Sequence, residues 1–332
     1  MAPRRTLSVR NLQGTGEDMA RAFVFPGQGS QTVGMGRTLA EAFPAAREVF
    51  QEVDEALGQK LSQIIWEGPE EELTRTENAQ PALMAVSTAV ARAIAAEGKI
   101  KLADHAAFAA GHSLGEYSAL VASGALELAE AAKLLRLRGQ AMQKAVPQGE
   151  GAMAALLGPD LEAAEALAAE AAEGEVCSVA NDNSPGQVVV SGTKSAVERA
   201  IRLAPERGVK RAVLLPVSAP FHCALMQPAA EVMAEALARA KIEAPALPIV
   251  CNVTAEAVED PETIRHLLVE QVTGMVRWRE SMLWLKAQGV EDLVELGAGK
   301  VLTNLARRID PALKGAAVGE PADVEAFLKS IA

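Results

Sequence analysis

Two short apolar segments of this sequence each lead directly into a glycine-rich turn, and this pattern constrains the fold more than any other feature. Residues 22–25 precede Pro26 and Gly27, and residues 105–110 precede Gly111. A short apolar run bounded by such a turn is typical of a buried parallel strand whose loop lies at the carboxyl edge of the sheet. Helical patterns follow the first turn at residues 44–57 and 81–97, and another helix follows the second turn. The alternation predicts an α/β fold with its chemistry at that edge.

The strand and helix pattern changes between residues 149 and 216. Strands and helices are predicted there in the order β-α-β-β-α-β, at residues 152–157, 160–172, 176–180, 187–191, 194–206 and 211–215. This order is typical of a small ferredoxin-like α+β unit. The larger pattern then resumes, with helices at 226–240, 264–272 and 280–288, strands at 248–251 and 292–296, and terminal helices.

These patterns predict a large domain with an inserted subdomain. The large domain comprises residues 22–148 and 217–332, and residues 149–216 form the small ferredoxin-like subdomain. Residues 1–21 lack hydrophobic periodicity and the apolar centre of a secretory signal, so we predict a disordered N-terminal extension.

Composition narrows the function classes. The 332-residue chain has a net charge of -11, with 49% hydrophobic and 3% aromatic residues. This apolar content predicts a full buried core, and an acidic chain with few aromatics does not suit a nucleic-acid binder. The longest apolar runs, near 119–126 and 212–221, are much shorter than the about 20 residues of a membrane span. The three cysteines lack metal or redox spacing, so we expect a soluble cytoplasmic protein with reduced thiols.

The second glycine-rich turn reads Gly111-His112-Ser113-Leu114-Gly115. It follows a strand pattern and precedes a helix, which is the context of the GxSxG nucleophile elbow of α/β-hydrolase-like folds. The glycines let strand and helix pack closely while the serine hydroxyl is exposed. Ser113 is therefore the candidate nucleophile of a large α/β-hydrolase-like domain. A serine N-cap on the following helix is the alternative interpretation.

A neutral serine needs a positioned base, and the chain has four histidines. His105 precedes its strand, His112 lies inside the elbow, and His266 lies on a helical segment. His222 follows an apolar strand and a turn, which makes it the candidate base, with a structural histidine as the alternative. Serine hydrolases use an acid to orient the histidine. No aspartate stands out here, so a backbone carbonyl is a candidate for that task.

Arg138 lies on the apolar side of a predicted helix. Its neighbours one turn away are Leu134, Leu135, Ala141 and Met142. A buried guanidinium left unpaired costs about 3 to 5 kcal/mol, so Arg138 requires an anion. A structural ion pair and a substrate carboxylate both satisfy that requirement, and the fork of the guanidinium suits a carboxylate in bidentate fashion.

Several motifs together give the chain a family resemblance. They are residues 25–31 (FPGQGSQ), 78–82 (NAQPA), 111–117 (GHSLGEY), 138–139 (RG), 183–187 (NSPGQ), the turn that ends at His222, and 295–300 (ELGAGK). Because these motifs occur together and in this order, the chain resembles the malonyl-CoA:acyl carrier protein transacylase family from about residue 22 to residue 308.

The resemblance implies an acyl-transfer mechanism. Ser113 would be acylated by malonyl-CoA, and the thiol of the carrier protein's phosphopantetheine would then take the acyl group. His222 would act as general base and acid in both half-reactions. The backbone N–H groups of Gln28 and Leu114 would form the oxyanion hole, where one donor is worth roughly 2.7 to 4 kcal/mol. Arg138 would bind the malonyl carboxylate.

The resemblance also implies supporting positions. Gln271 aligns with the residue whose main-chain carbonyl orients the histidine, so its side chain carries little weight in the comparison. Gln80 and Asn183 would line the cleft. Phe221 would fill the space that an α-methyl group needs, which favours malonyl over branched acyl groups.

The family further implies malonyl-CoA and acyl carrier protein as the partners of a monomer, with no metal and no cofactor beyond these substrates. A serine esterase or thioesterase is the alternative, because a GHSLG elbow also serves hydrolases. A transferase must keep the ester until a thiol arrives, and Arg138 together with the missing triad acid favours transfer. A non-catalytic scaffold is disfavoured by the intact set of Ser113, His222 and Arg138.

Overall fold

The computed structural model describes residues 21–332, so the predicted N-terminal extension lies outside the described residues except for Arg21, which begins the first strand. The strands are β1 (Arg21–Phe25), β2 (Phe108–Gly111), β3 (Gly151–Leu157), β4 (Cys177–Ser184), β5 (Gln187–Thr193), β6 (Arg211–Leu214), β7 (Ile249–Val250), β8 (Ala257–Val258), β9 (Asp292–Leu296) and β10 (Lys314–Val318). The helices are α1 (Arg37–Ala42), α2 (Pro44–Leu57), α3 (Leu61–Glu67), α4 (Glu70–Thr74), α5 (Thr76–Gly98), α6 (Gly115–Ala122), α7 (Leu128–Ala145), α8 (Leu161–Ala172), α9 (Lys194–Leu203), α10 (Gln227–Arg239), α11 (Pro261–Glu270), α12 (Trp278–Ala287), α13 (Val301–Ile309) and α14 (Pro321–Ser330).

A six-stranded sheet forms the centre of the molecule, in the order β10-β9-β1-β2-β7-β8. The strands from β10 to β7 pair in parallel, and β8 pairs antiparallel with β7. Phe25 pairs with Gly111 at the carboxyl ends of β1 and β2. The two glycine-rich turns therefore lie side by side at one edge of the sheet, and the predicted α/β class with a parallel sheet is confirmed.

The central sheet is covered by helices that bury its apolar side chains. Helix α5 packs against α2 and α7, and nearly all of its residues from Thr76 to Ile94 are buried. Within residues 21–332, α5 is the one helix long and apolar enough to cross a membrane by length and composition, and 83% of its apolar window is buried inside the protein. Its burial is that of a core helix.

A second sheet of four antiparallel strands has the order β4-β5-β3-β6. Helices α8 and α9 pack against each other and against its strands. The chain enters and leaves this sheet at adjacent points, since a Cβ on Gly151 would lie 2.4 Å from the Pro220 ring. Strand β4 is tied to the segment before α12 by two backbone hydrogen bonds, Asp182 N to Val276 O (3.0 Å) and Val276 N to Ala180 O (2.8 Å).

Two of the differences from the sequence prediction have a clear physical cause. Helix α5 begins at Thr76 instead of residue 81, because tertiary contacts stabilise its first turn: Glu77 N donates to Gln143 Oε1 at 2.8 Å, and Asn78 Nδ2 donates to Glu72 O at 2.7 Å. Strand β10 occupies part of the region predicted as terminal helices. Its first four residues are exposed or half-buried, so its sequence lacks the apolar run of an inner strand, and pairing with β9 determines its conformation.

Candidate active site

The turn between β2 and α6 has the geometry of a nucleophile elbow. Ser113 adopts a φ of 53°, a left-handed conformation that is strained for a residue with a Cβ. A Cβ on Gly111 would lie 1.9 Å from the Gly115 backbone, and one on Gly115 would lie 2.3 Å from Phe25 O. These positions therefore require glycine.

The Ser113 side chain does not cap the helix. Leu114 occupies the N-cap position of α6, without a side-chain cap, and Ser113 Oγ lies 2.8 Å from His222 Nε2. Asn252 fixes the elbow from behind: its Oδ1 accepts from Ser113 N at 2.7 Å, and its Nδ2 donates to Gly111 O at 2.7 Å. The serine is thus held in its strained conformation with its hydroxyl facing the histidine.

His222 is buried and also has a left-handed φ of 57°. Its Nδ1 lies 2.9 Å from Gln271 O and 3.2 Å from Gly274 O. Carbonyl oxygens only accept hydrogen bonds, so Nδ1 carries the proton and Nε2 accepts from the Ser113 hydroxyl. Burial and the nearby Arg138 charge lower the pKa of His222 to about 3. The imidazole is therefore neutral at neutral pH and able to accept a proton.

The other histidines and the neighbouring cysteine do not compete for this position. His112 Nε2 contacts Asn183 Oδ1 at 2.8 Å, and burial lowers the pKa of His112. His105 precedes β2, and His266 is exposed on α11. The Cys223 thiol donates to Pro220 O at 3.2 Å, and burial raises its pKa, so it packs as a neutral thiol.

Arg138 is 1% exposed and directs its guanidinium towards the nucleophile. Nη1 donates to Gln80 Oε1 at 2.8 Å, and Nη2 donates to Gln271 Oε1 at 2.9 Å and to Ser113 Oγ at 3.2 Å. Its Nε has no hydrogen-bond partner in the described part of the chain, and no carboxylate there forms an ion pair with it. Burial lowers the pKa of Arg138, while Tyr117 and Glu116 raise it. Its direct partners are neutral oxygens, which leaves the cation available for an incoming anion.

A cavity of about 270 Å³ opens above the serine. Its lining contains Gln28, Gln80, Ser113, Leu114, Arg138, Phe221 and His222 from the predicted set, together with Gly29, His112, Met142, Met153, Asn181, Leu215, Pro216 and Val217. Within residues 21–332 the backbone N–H groups of Gln28 and Leu114 donate no hydrogen bond, so both remain available to a ligand.

Asn183 differs from the prediction, because it is absent from the residues that line the cavity. It contacts the ring of His112, while Asn181 faces the cavity two residues earlier along β4. Strand β4 has irregular register on both sides of Asp182, so side-chain alternation along it cannot be counted from the sequence.

Comparison with known proteins gives the family. Residues 22–325 match the acyl transferase domain. The chain is 48% identical over 308 residues to the malonyl CoA-acyl carrier protein transacylase of Escherichia coli K12, covering 93% of this chain and 98% of that protein. It is 47% identical over 311 residues to the protein of that name from Bacillus subtilis strain 168, covering 93% and 96%. This chain belongs to the malonyl CoA-acyl carrier protein transacylase family.

Solved structures of family members are closely similar. The acyl-carrier-protein S-malonyltransferase of Bartonella henselae has a TM-score of 0.92 and 55% identity, covering 94% of this chain and 99% of that one. A malonyl-transacylase solved in complex with a holo type II polyketide synthase acyl-carrier protein has a TM-score of 0.90 and 45% identity, covering 93% and 99%. The resemblance inferred from the motifs is confirmed.

Three contributions to this transacylase-family site were not predicted from the sequence. They come from Asn252, from the buried Glu116, and from the side chain of Gln271. Gln271 Nε2 donates to Ser113 O and to Glu116 Oε2, both at 3.0 Å. The position of Glu116 in the elbow motif was the available signal for one of them. No group of three or more potential metal ligands occurs in the described part of the chain.

Proposed function

We propose that this protein transfers the malonyl group of malonyl-CoA to the phosphopantetheine thiol of acyl carrier protein, supplying fatty acid chain elongation. The observation that carries the proposal is the Arg138 guanidinium, which is buried without a carboxylate partner among the described residues. It lies 3.2 Å from the oxygen of a serine that is hydrogen-bonded to a neutral histidine. The names of the relatives, and the solved complex of one family member with a carrier protein, support the same substrate and acceptor.

The first half-reaction forms an ester on Ser113. Arg138 binds the malonyl carboxylate, which places the thioester carbonyl beside Oγ. His222 Nε2 takes the hydroxyl proton as Oγ attacks that carbon, and the backbone N–H groups of Gln28 and Leu114 stabilise the oxyanion. The C–S bond then breaks, and the departing CoA sulfur receives the proton from His222.

The second half-reaction reverses the roles. The phosphopantetheine thiol gives its proton to His222 Nε2, and its sulfur attacks the ester carbonyl. The C–Oγ bond breaks and Ser113 regains the proton. The backbone carbonyls of Gln271 and Gly274 hold Nδ1–H throughout, which replaces the acid of a serine hydrolase triad. Glutamine and glycine carbonyls carry no net charge, so the imidazole stays neutral between steps.

Mass spectrometry of the intact enzyme tests the function. Mixing the protein with malonyl-CoA is expected to give a stable malonyl adduct on Ser113, and adding holo carrier protein is expected to move the malonyl group to the carrier. Ser113→Ala, which keeps the cavity but lacks the nucleophile, is expected to give neither product. Rapid release of free malonate with no malonylated carrier would instead identify a thioesterase.

We also propose the finer architecture predicted from the sequence. Residues 149–216 form a ferredoxin-like subdomain inserted into an α/β-hydrolase-like domain of residues 22–148 and 217–332. The order β4-β5-β3-β6 with two helices supports the first assignment, and the elbow between β2 and α6 supports the second.

Three further properties belong to the proposal. The reaction needs no cofactor besides its two substrates, because the chain's own side chains and backbone supply nucleophile, base, oxyanion donors and anion site. The predicted monomeric state is also part of the proposal. It is cytoplasmic, which fits three cysteines without disulfides.

A further inference from the structure

One buried carboxyl group beside the site has no part in the acyl-transfer steps. Glu116 lies in the first turn of α6 and is 1% exposed. Its Oε2 accepts from Asn252 N at 2.9 Å and from Gln271 Nε2 at 3.0 Å. Its Oε1 has no hydrogen-bond partner among residues 21–332. A carboxyl removed from water in this way is costly unless it stabilises something nearby.

Gln271 connects this carboxyl to the reacting groups. Its amide oxygen accepts from Arg138 Nη2 at 2.9 Å, while its amide nitrogen donates to Glu116 and to Ser113 O. The reverse orientation of the amide would place its NH₂ group against the guanidinium, donor against donor, and its oxygen against the carboxyl. Glu116 and Arg138 thus act on opposite ends of one amide and select the same orientation.

The same residue orients the base. The Gln271 main-chain carbonyl accepts from His222 Nδ1 at 2.9 Å. Asn252, which also contacts Glu116, holds the backbone of Ser113. The Glu116 carboxyl is therefore connected to Ser113, His222 and Arg138 through a single intervening residue, either Gln271 or Asn252.

Glu116 also supplies the balancing negative charge. Arg138 forms no ion pair with a carboxylate within the described residues. Of the two groups whose charge raises the Arg138 pKa, Tyr117 and Glu116, the phenol of Tyr117 ionises only at high pH, so Glu116 is the one that carries charge near neutral pH. The other titratable groups near Glu116 do not supply this charge. Burial raises the pKa of Tyr117 to about 12 and that of Cys251 well above its usual value, so both are neutral, as is His222.

We propose that Glu116 is a positioning residue for acyl transfer: it fixes the Gln271 amide against Arg138 and shares the Arg138 charge with the substrate carboxylate. The inference rests on the proposed function. A malonyl carboxylate at Arg138 adds a negative charge beside Glu116, so the carboxyl then favours its protonated form. Acetyl-CoA carries no such group and does not disturb this balance.

This charge sharing predicts a pH dependence. Burial raises the pKa of Glu116 to about 7, so it is protonated below neutral pH and ionised above it. Ionised Glu116 opposes the malonyl carboxylate, so malonyl binding weakens as pH rises through 7. One pKa unit of interaction corresponds to a tenfold change in binding. We expect the ratio of kcat/KM for malonyl-CoA over acetyl-CoA to fall about fivefold from pH 6 to pH 8.

The test measures the acylation of Ser113 by both thioesters from pH 6 to pH 8. Taking the ratio cancels the titration of His222 and of the CoA phosphates, which both substrates share. Glu116→Gln keeps an oxygen towards Asn252 and Gln271 but cannot ionise, so its ratio is expected to stay high and flat. Glu295→Gln is the matched control, because Glu295 is equally buried but accepts only from Leu302 and Thr303.

A second variant tests positioning. Glu116→Leu removes the acceptor, and we expect more than a tenfold loss of malonyl acylation that Glu116→Gln does not show. A flat wild-type ratio, or the same slope in wild type and Glu116→Gln, would overturn the charge sharing. A folded Glu116→Leu with wild-type malonyl acylation would overturn the positioning role. Wild-type acylation by malonyl-CoA establishes the function separately, so the two failures are distinguishable.

Discussion

The two walls of the cavity differ in kind. One wall consists of Gln80, Ser113 and Arg138, and hydrogen bonds fix these polar side chains. The other wall, defined here as the apolar lining from β3 and the segment after β6, presents Met153, Leu215, Val217 and Phe221. The polar wall binds and orients the substrate through charge and directed hydrogen bonds. The apolar wall selects the substrate by shape and excludes water. A substitution on the first should therefore change rates strongly, and one on the second should change preferences modestly.

The sharpest test of the polar wall is Arg138→Ala. Removing a buried charge partner of a carboxylate costs about 3 to 5 kcal/mol, so malonyl acylation is expected to fall by more than a hundredfold. Acetyl acylation lacks that interaction and is expected to fall by less than tenfold. Rates of adduct formation on Ser113, measured by quenched-flow mass spectrometry, check both numbers.

Arg136→Ala is the control for this comparison. Arg136 lies on the same helix but donates to Gln59 Oε1 at 2.6 Å, away from the cavity. It should leave the malonyl to acetyl ratio unchanged. Equal losses for both acyl groups in Arg138→Ala would refute the assignment of Arg138 to the malonyl carboxylate.

His222 directly follows Phe221 of the apolar wall. We expect its burial to make the free energy of unfolding depend on pH. Its pKa is about 3 in the folded protein, while an unfolded histidine has a pKa near 6.5. Below pH 6.5 the unfolded chain therefore binds a proton that the folded chain excludes, and stability falls as pH falls. From pH 7 to pH 5 this residue alone is expected to cost about 2 kcal/mol.

Urea unfolding of wild type and His222→Asn at both pH values isolates this contribution. The buried His112, whose pKa is also lowered, affects both proteins equally. The wild-type free energy of unfolding should lose about 2 kcal/mol more than that of the variant. Parallel losses in the two proteins would mean that His222 is not buried in its neutral form.

The sequence predicted the elements whose local pattern agrees with their packing. The predicted bounds of α2 (Pro44–Leu57) and β9 (Asp292–Leu296) coincide with those observed, because an apolar period and clear end signals mark both. Strand β10 was missed because pairing with its neighbour, and not its own side chains, determines its conformation. The start of α5 was placed too late because contacts with distant residues extend it.

The site shows the same division. The elbow pattern indicated Ser113 as the nucleophile. The apolar neighbours of Arg138 on its helix predicted that Arg138 is buried, and it is 1% exposed. The roles of Asn252, Glu116 and the Gln271 side chain come from hydrogen bonds between residues that are far apart in the sequence. Asn252 and Glu116 are separated by 136 positions, and Gln271 and Ser113 by 158. Such pairings arise from the meeting of β7, α6 and α11 and leave no local pattern. The Gly274 carbonyl at His222 has the same origin.

The smallest effect is expected from the apolar wall, at Phe221. This side chain is 8% exposed and lines the cavity next to His222. Truncation in Phe221→Ala makes room for an α-methyl group, and one methyl is worth about 1 to 3 kcal/mol in such a pocket. The preference for malonyl-CoA over methylmalonyl-CoA is therefore expected to drop about tenfold.

Any disturbance of His222 slows both substrates alike and cancels in the ratio. Leu214→Ala, at a side chain 50% exposed on β6, controls for general loss of apolar surface. An unchanged preference in Phe221→Ala would mean that the apolar wall does not select the acyl group, and the contrast between the walls would then lie in solvent exclusion alone.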